Sequence, residues 1–183
     1  MIAERDGVVV VAIADGAGGM RGGATASDAF VRAIARALDD DAFDLHDAAR
    51  WGALLAEVDA ALHAAMAGET TAIVIALSAK GITGTSVGDS EAWLVGPSGI
   101  DDLTASQHRR RLGSGAAVPA AFFRSPLDAV LVAGTDGLFK YASPDAIAVA
   151  ARDGSAQSLA ALARLPSGRY PDDVAVAVVQ PRR

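Results

Sequence analysis

The sequence predicts an α+β protein in which pairs of helices pack outside β-sheets. Three observations carry that expectation. Short β-branched runs such as VVVVAIA at 8–14 and VAVAVV at 174–179 have the length and composition of buried strands. Stretches with apolar residues at helical spacing come two at a time, once before and once after the central strands. The strands are grouped between those pairs and do not alternate singly with helices, which argues against strict βαβ winding.

Each element has its own signal. Residues 8–14 form the first buried strand, and the glycine-rich stretch 16–23 is a loop. Phe30, Val31, Ile34 and Leu38 mark a helix over 24–38. Trp51, Leu54, Leu55, Val58, Leu62 and Met66 mark a second, which Gly68 is expected to end. Residues 70–78, 82–87 and 92–95 follow as strands of a meander, with a Gly96-Pro97-Ser98-Gly99 turn after the last. Residues 104–127 read as irregular and contain the basic run His108-Arg109-Arg110-Arg111. A strand at 129–133 runs into Gly134-Thr135-Asp136-Gly137. Ser143-Pro144 then has the N-cap and first-turn pairing of a helix start. A further helix at 155–165, a loop at 166–171 and a strand at 174–179 close the chain.

Composition excludes several classes of function. The chain of 183 residues suits one domain, and 51% hydrophobic with 21% charged residues is globular. A formal charge of −6 disfavours nucleic acid or an anionic membrane as partner. The absence of cysteine rules out disulfides, zinc–thiolate sites and a cysteine nucleophile. Outside the alanine-rich helices the apolar runs reach only about seven residues, too short to span a bilayer. Glu4, Arg5 and Asp6 precede the first apolar run, which is not the order of a signal peptide, so a cytoplasmic location is expected.

The chemistry concentrates in aspartates at strand boundaries. Asp15-Gly16 follows VVVVAIA, Asp136-Gly137 follows VLVAGT, Asp172-Asp173 precedes VAVAVV, and Asp89 lies in the turn Gly88-Asp89-Ser90. One aspartate at a strand end is ordinary turn chemistry. Four in like settings suggest carboxylates gathered at one rim of a sheet. Gathered carboxylates repel, and these motifs carry few cations of their own, so a divalent metal is the simple neutraliser. Oxygen ligands favour Mg²⁺ or Mn²⁺. Zinc is disfavoured, because cysteine is absent and His46, His63 and His108 lie outside the motifs.

ADGAGGMRGGATAS (14–27), GETTA (68–72), SVGDSEAWLV (86–95), LVAGTDGLF (131–139) and PDDVAVAVV (171–179) together resemble, in order, the motifs of the metal-dependent protein phosphatases, the type-2C Ser/Thr family. The resemblance spans most of the chain and is to the compact bacterial type. It implies an α-β-β-α sandwich of two antiparallel sheets flanked by helix pairs, as a single domain over 1–183. It also implies a binuclear Mn²⁺ or Mg²⁺ centre with a weaker third ion. By position Asp15 would bridge two ions, with the Gly16 carbonyl on one. Asp136 and Asp172 would hold the other, and Asp89 would share the third with Asp136. Asp173 stands where the family often has Asn and would support the site from behind, while Thr70 and Thr71 would be structural. The implied activity is hydrolysis of phosphoserine or phosphothreonine in a protein substrate by a metal-bridging hydroxide.

Departures from the family shape further expectations. The family's upstream Arg and Asn-Glu-Asp-like segment have no counterpart in the 14 residues before Asp15, and no motif marks Glu4, Arg5 or Asp6 as substitutes. This predicts weak phosphate binding and a missing first strand, with an uncovered sheet edge through which two chains would pair. Arg109, Arg110 and Arg111 are candidates to bind the substrate phosphate in that Arg's place, because the guanidinium fork matches phosphate. The same run also fits a solvated loop. Residues 104–127 form a reduced flap, and Ala17 stands where some members carry a histidine.

Rival readings fail on specific residues. A dinucleotide fold would need a different glycine spacing than Gly16, Gly18 and Gly22 supply, and Asp15 would repel a pyrophosphate. A haloacid-type hydrolase needs an aspartate where Ile13 stands. A serine esterase built on Ser90 needs a histidine after His108, and none follows. The remaining alternative is a degenerate phosphatase-like domain that binds phosphoproteins or a regulatory partner without turnover.

Overall fold

The computed structural model describes residues 1–17, 22–125 and 128–181. It divides into two compact units, each an antiparallel sheet with helices on one face. Two antiparallel sheets, each with its own helices, are what the expected α+β class calls for.

The first unit runs to Ser90 and resumes from Ser106. Its strands are β1 (Ile2–Arg5), β2 (Val8–Ile13), β3 (Ala72–Ser78), β4 (Gly81–Val87) and β7 (Ala120–Arg124), in the spatial order β1-β2-β3-β4-β7. Contrary to expectation, a strand precedes β2. Asp6 and Gly7 both have left-handed backbone (φ 54° and 75°), the geometry of a two-residue hairpin turn, and β1 lies along β2 from Ile2↔Val11 to Arg5↔Val8. β2 is therefore covered on both sides. β7 lies inside the stretch expected to be irregular and pairs with β4. Phe122 faces Gly84, where a Cβ would stand 2.4 Å from the ring, so the pairing depends on a glycine in the partner strand.

Helices α1 (Gly23–Asp39) and α2 (Ala48–Ala65) cover one face of this sheet. Their apolar stripes meet Val8, Val10, Ala12 and Val74 in a core centred on Phe30, Ile34, Trp51 and Leu55, all fully buried. Asp47 caps α2, its carboxylate accepting from Ala49 N at 2.8 Å. α2 does not end on Gly68. Met66 takes the left-handed cap conformation (φ 49°), and Ala67 N reaches back to Leu62 O at 3.0 Å.

The second unit holds β5 (Glu91–Gly96), β6 (Gly99–Asp102), β8 (Val130–Gly134) and β9 (Val176–Val179), ordered β6-β5-β8-β9. The expected meander thus divides: β3 and β4 form a hairpin in one sheet, while β5 belongs to the other. Helices α3 (Asp136–Phe139), α4 (Pro144–Arg152) and α5 (Ala156–Leu162) lie between β8 and β9 in sequence. Ile147 and Leu159 pack with Leu138, Trp93, Val95 and Val132 as this unit's core. Ser143 caps α4 from the predicted position, and Ser155, expected as part of the next helix, caps α5, which ends at Leu162. Among the described residues no helix is long and apolar enough to cross a membrane.

Candidate functional site

Thr71 organises one end of the first unit. The Asp15 N–H donates to Thr71 Oγ1 at 3.0 Å, and its carbonyl accepts from Thr71 N at 2.9 Å. The same hydroxyl meets Ser90 Oγ at 2.7 Å. Gly88 (φ 105°) packs directly on Thr71, where a Cβ would come within 2.8 Å of the side chain. Because β2, β3 and β4 are neighbours, Asp15 and the Gly88-Asp89-Ser90 turn flank Thr71 at one sheet end. Ser90 is buried and engaged by a threonine, which suits a structural hydroxyl and not a nucleophile. Thr70 and Thr71 are both buried, and their hydroxyls are engaged by neighbouring protein groups. Thr70 also bridges Gly16 on one side and Leu112 on the other.

The glycine at 16 has a packing reason. A Cβ there would fall 2.4 Å from the Gly23 carbonyl carbon, so only glycine lets the start of α1 approach the strand end. Ala17 N then donates to Glu69 O at 2.9 Å, which holds the chain beside residues 69–71. Gly18 and the rest of 18–21, part of the expected glycine-rich loop, lie outside the described residues.

The basic run divides. Arg109 and Arg110 are exposed, but Arg111 is half-buried and donates to Asp89 Oδ2 at 3.1 Å. Its neighbour Leu112 pairs with Thr70 through both backbone groups, at 2.9 and 3.0 Å, which fixes where Arg111 starts.

In the second unit β8 delivers Asp136. Thr135 holds the segment before β9: its N–H donates to Ala175 O at 3.0 Å and its hydroxyl to Asp173 O at 3.0 Å. Ala175 N returns a bond to Thr135 Oγ1 at 3.1 Å. Gly137 lies against the same segment, with room for no Cβ, since one would stand 2.3 Å from Asp173 O. The Asp136 turn and the Asp172-Asp173 segment are thereby brought together at one sheet end. Asp172 is exposed and accepts from Asp173 N at 2.9 Å, whereas Asp136 is buried, 7% exposed.

A buried carboxylate needs a partner. For Asp136 it is the Lys140 ammonium, one helical turn on. The expectation that few cations lie near the aspartates is corrected here. Asp89 has Arg111 from 22 residues away in sequence, and Asp136 has Lys140. The i,i+4 spacing of Asp136 and Lys140 was a legible signal; the Arg111 pairing was not, because it depends on the Thr70–Leu112 bridge.

Each unit by itself thus brings two of the four aspartates to one end. Among the described residues no group of three or more carboxylate or imidazole side chains stands ready to hold an ion. In donor chemistry the residues fit a hard dication: carboxylates and a backbone carbonyl, without thiol or imidazole.

Arg5 is excluded as a phosphate ligand by its surroundings. Its guanidinium donates to Ala37 O at 3.1 Å, to Asp40 O at 2.7 Å and to Phe43 O, and so caps the C-terminus of α1.

No family model and no curated protein sequence matches the chain. Solved structures do match its fold. The serine/threonine phosphatase PstP of Mycobacterium tuberculosis has a TM-score of 0.77 at 20% identity, over 97% of this chain and 89% of that one. The catalytic domain of PstP in complex with two manganese ions gives 0.76 at 21%, with the same coverage. Stp1 from Staphylococcus aureus gives 0.80 at 16%, over 96% and 85%. The resemblance to the metal-dependent protein phosphatases therefore holds at the level of the fold, which this chain shares with bacterial serine/threonine phosphatases.

Proposed function

We propose that the protein is a metal-dependent phosphatase acting on phosphoserine or phosphothreonine in proteins. The observation that carries the reading is the fold shared over almost the whole chain with bacterial serine/threonine phosphatases, one of them described with two manganese ions. The four strand-end aspartates supply the oxygen donors such ions prefer.

In this reading Asp15, Asp136 and Asp172 hold two Mn²⁺ or Mg²⁺ ions with the Gly16 carbonyl, and Asp89 contributes to a weaker third. Bound there, the ions would supply an acidified water as nucleophile and offset charge on the phosphoryl oxygens. The protein's own part is positioning. Thr71 fixes the backbone from which Asp15 projects. Thr135 and Gly137 fix the segment that carries Asp172. Arg109 and Arg110 are exposed cations suited to meet an incoming phosphate group. Arg111 joins them in this role only after leaving Asp89.

The test is hydrolysis of p-nitrophenyl phosphate with and without Mn²⁺, by the wild type and by Asp15→Asn. Turnover should depend on Mn²⁺ and fall at least about a hundredfold in the variant, with circular dichroism unchanged. A folded protein that shows no Mn²⁺-dependent turnover would remove the hydrolase reading.

A further inference from the structure

We propose that Lys140 is a built-in counter-cation for Asp136, which a divalent ion must displace to occupy that carboxylate. The inference rests on the reading of Asp136 as a metal ligand. Three observations support it. The Asp136 side chain is about one-tenth exposed, and its Oδ2 is in direct contact with Lys140 Nζ. The Lys140 side chain is half-exposed, so the ammonium reaches the carboxylate from the solvent side, where an ion would also arrive. Lys140 is anchored at its base, its N–H donating to Asp136 O at 2.9 Å, so the pair sits on one helical turn and is held in register.

The physical consequence is competition. A dication bound at Asp136 shares one anion with a fixed positive charge a few ångströms away, and like charges in a poorly solvated site repel strongly. Binding therefore has to release the ammonium to water, and the intrinsic metal affinity is lowered by the free energy of the pair. Without metal, the same lysine keeps a buried carboxylate compensated. Lys140 acts through Asp136 and is thus a positioning residue, one that sets the metal concentration at which the site fills.

Calorimetric titration of Mn²⁺ into metal-free protein tests this with four proteins: wild type, Lys140→Met, Lys140→Arg and Asp136→Asn. The expected result is that Lys140→Met tightens Mn²⁺ binding by about tenfold or more, from removal of one repelling charge. Lys140→Arg, which keeps the charge, should stay near wild type, and Asp136→Asn should lose the site. Unchanged or weaker binding by Lys140→Met, with Asp136→Asn still defective, overturns the role of Lys140 and leaves the metal reading standing. Equal binding, or none, by wild type and Asp136→Asn overturns the assignment of Asp136 and this inference with it. If Lys140→Met is poorly folded without metal, the gap between Lys140→Arg and Lys140→Gln decides in its place.

Discussion

Asp59 shows how much one side chain can organise without touching chemistry. It is a carboxylate on α2, 6% exposed, and it accepts three backbone N–H bonds from one loop: Gly113 at 2.7 Å, Gly115 at 3.0 Å and Ala117 at 3.1 Å. That loop follows the Thr70–Leu112 bridge, and so it also anchors the chain next to Arg111. Asp59→Ala would leave three donors without their anion. We expect a loss of about 2–3 kcal/mol in urea unfolding, since hydrogen bonds to a charged group exceed the neutral average. We also expect weaker retention of Arg111 on Asp89. A loss below about 0.5 kcal/mol would mean that water replaces the carboxylate at no cost. The sequence did not disclose this residue, because Asp59 sits in the middle of an apolar helical stripe and its partners are backbone groups more than 50 positions away.

At the scale of elements, legibility followed how local the determinant was. The start of α4 was readable because Ser143 and Pro144 act within one turn: Ser143 Oγ accepts from Ala146 N at 3.3 Å, and Pro144 occupies a position with no intrahelical N–H bond to lose. Ser143→Ala should therefore destabilise the protein by about 1 kcal/mol, while Ser143→Asp should be close to neutral; thermal melts of the two variants check this. An equal loss in both would place the contribution of Ser143 outside capping. β7 was not readable, because Phe122 pairs over a glycine 38 residues earlier. β1 was readable in principle. Asp6-Gly7 is a strong hairpin dipeptide, but the charged residues Glu4 and Arg5 beside it masked the strand. Arg5 is charged for another purpose, as the cap of α1. The aspartates of the candidate site were legible as strand-end motifs. Their partners Arg111 and Lys140 were not expected: Arg111 is distant in sequence, and the i,i+4 spacing of Lys140, though visible, has meaning only with helix α3 in place.

For the whole molecule, the proposed function makes metal binding a contribution to stability. Any ligand that binds only the folded chain stabilises it by RT ln(1 + [L]/Kd), about 2.7 kcal/mol at a hundredfold excess over Kd. In a protein of this length, that corresponds to a rise in Tm of about 5–10 °C. Asp15 belongs to the first unit and Asp136 to the second. If both serve one dinuclear centre, Asp15→Asn and Asp136→Asn should each remove most of the Mn²⁺-induced shift, and the double variant should lose little more. If each aspartate serves an ion of its own, each single variant should keep about half of the shift, and the two losses should add. Differential scanning calorimetry with and without Mn²⁺ separates these outcomes. The metal-free baselines must be compared first, since replacing Asp136 also leaves Lys140 without its buried partner and should lower Tm on its own. A shift that survives both substitutions intact would place the ion elsewhere and remove the strand-end aspartates from the proposed centre.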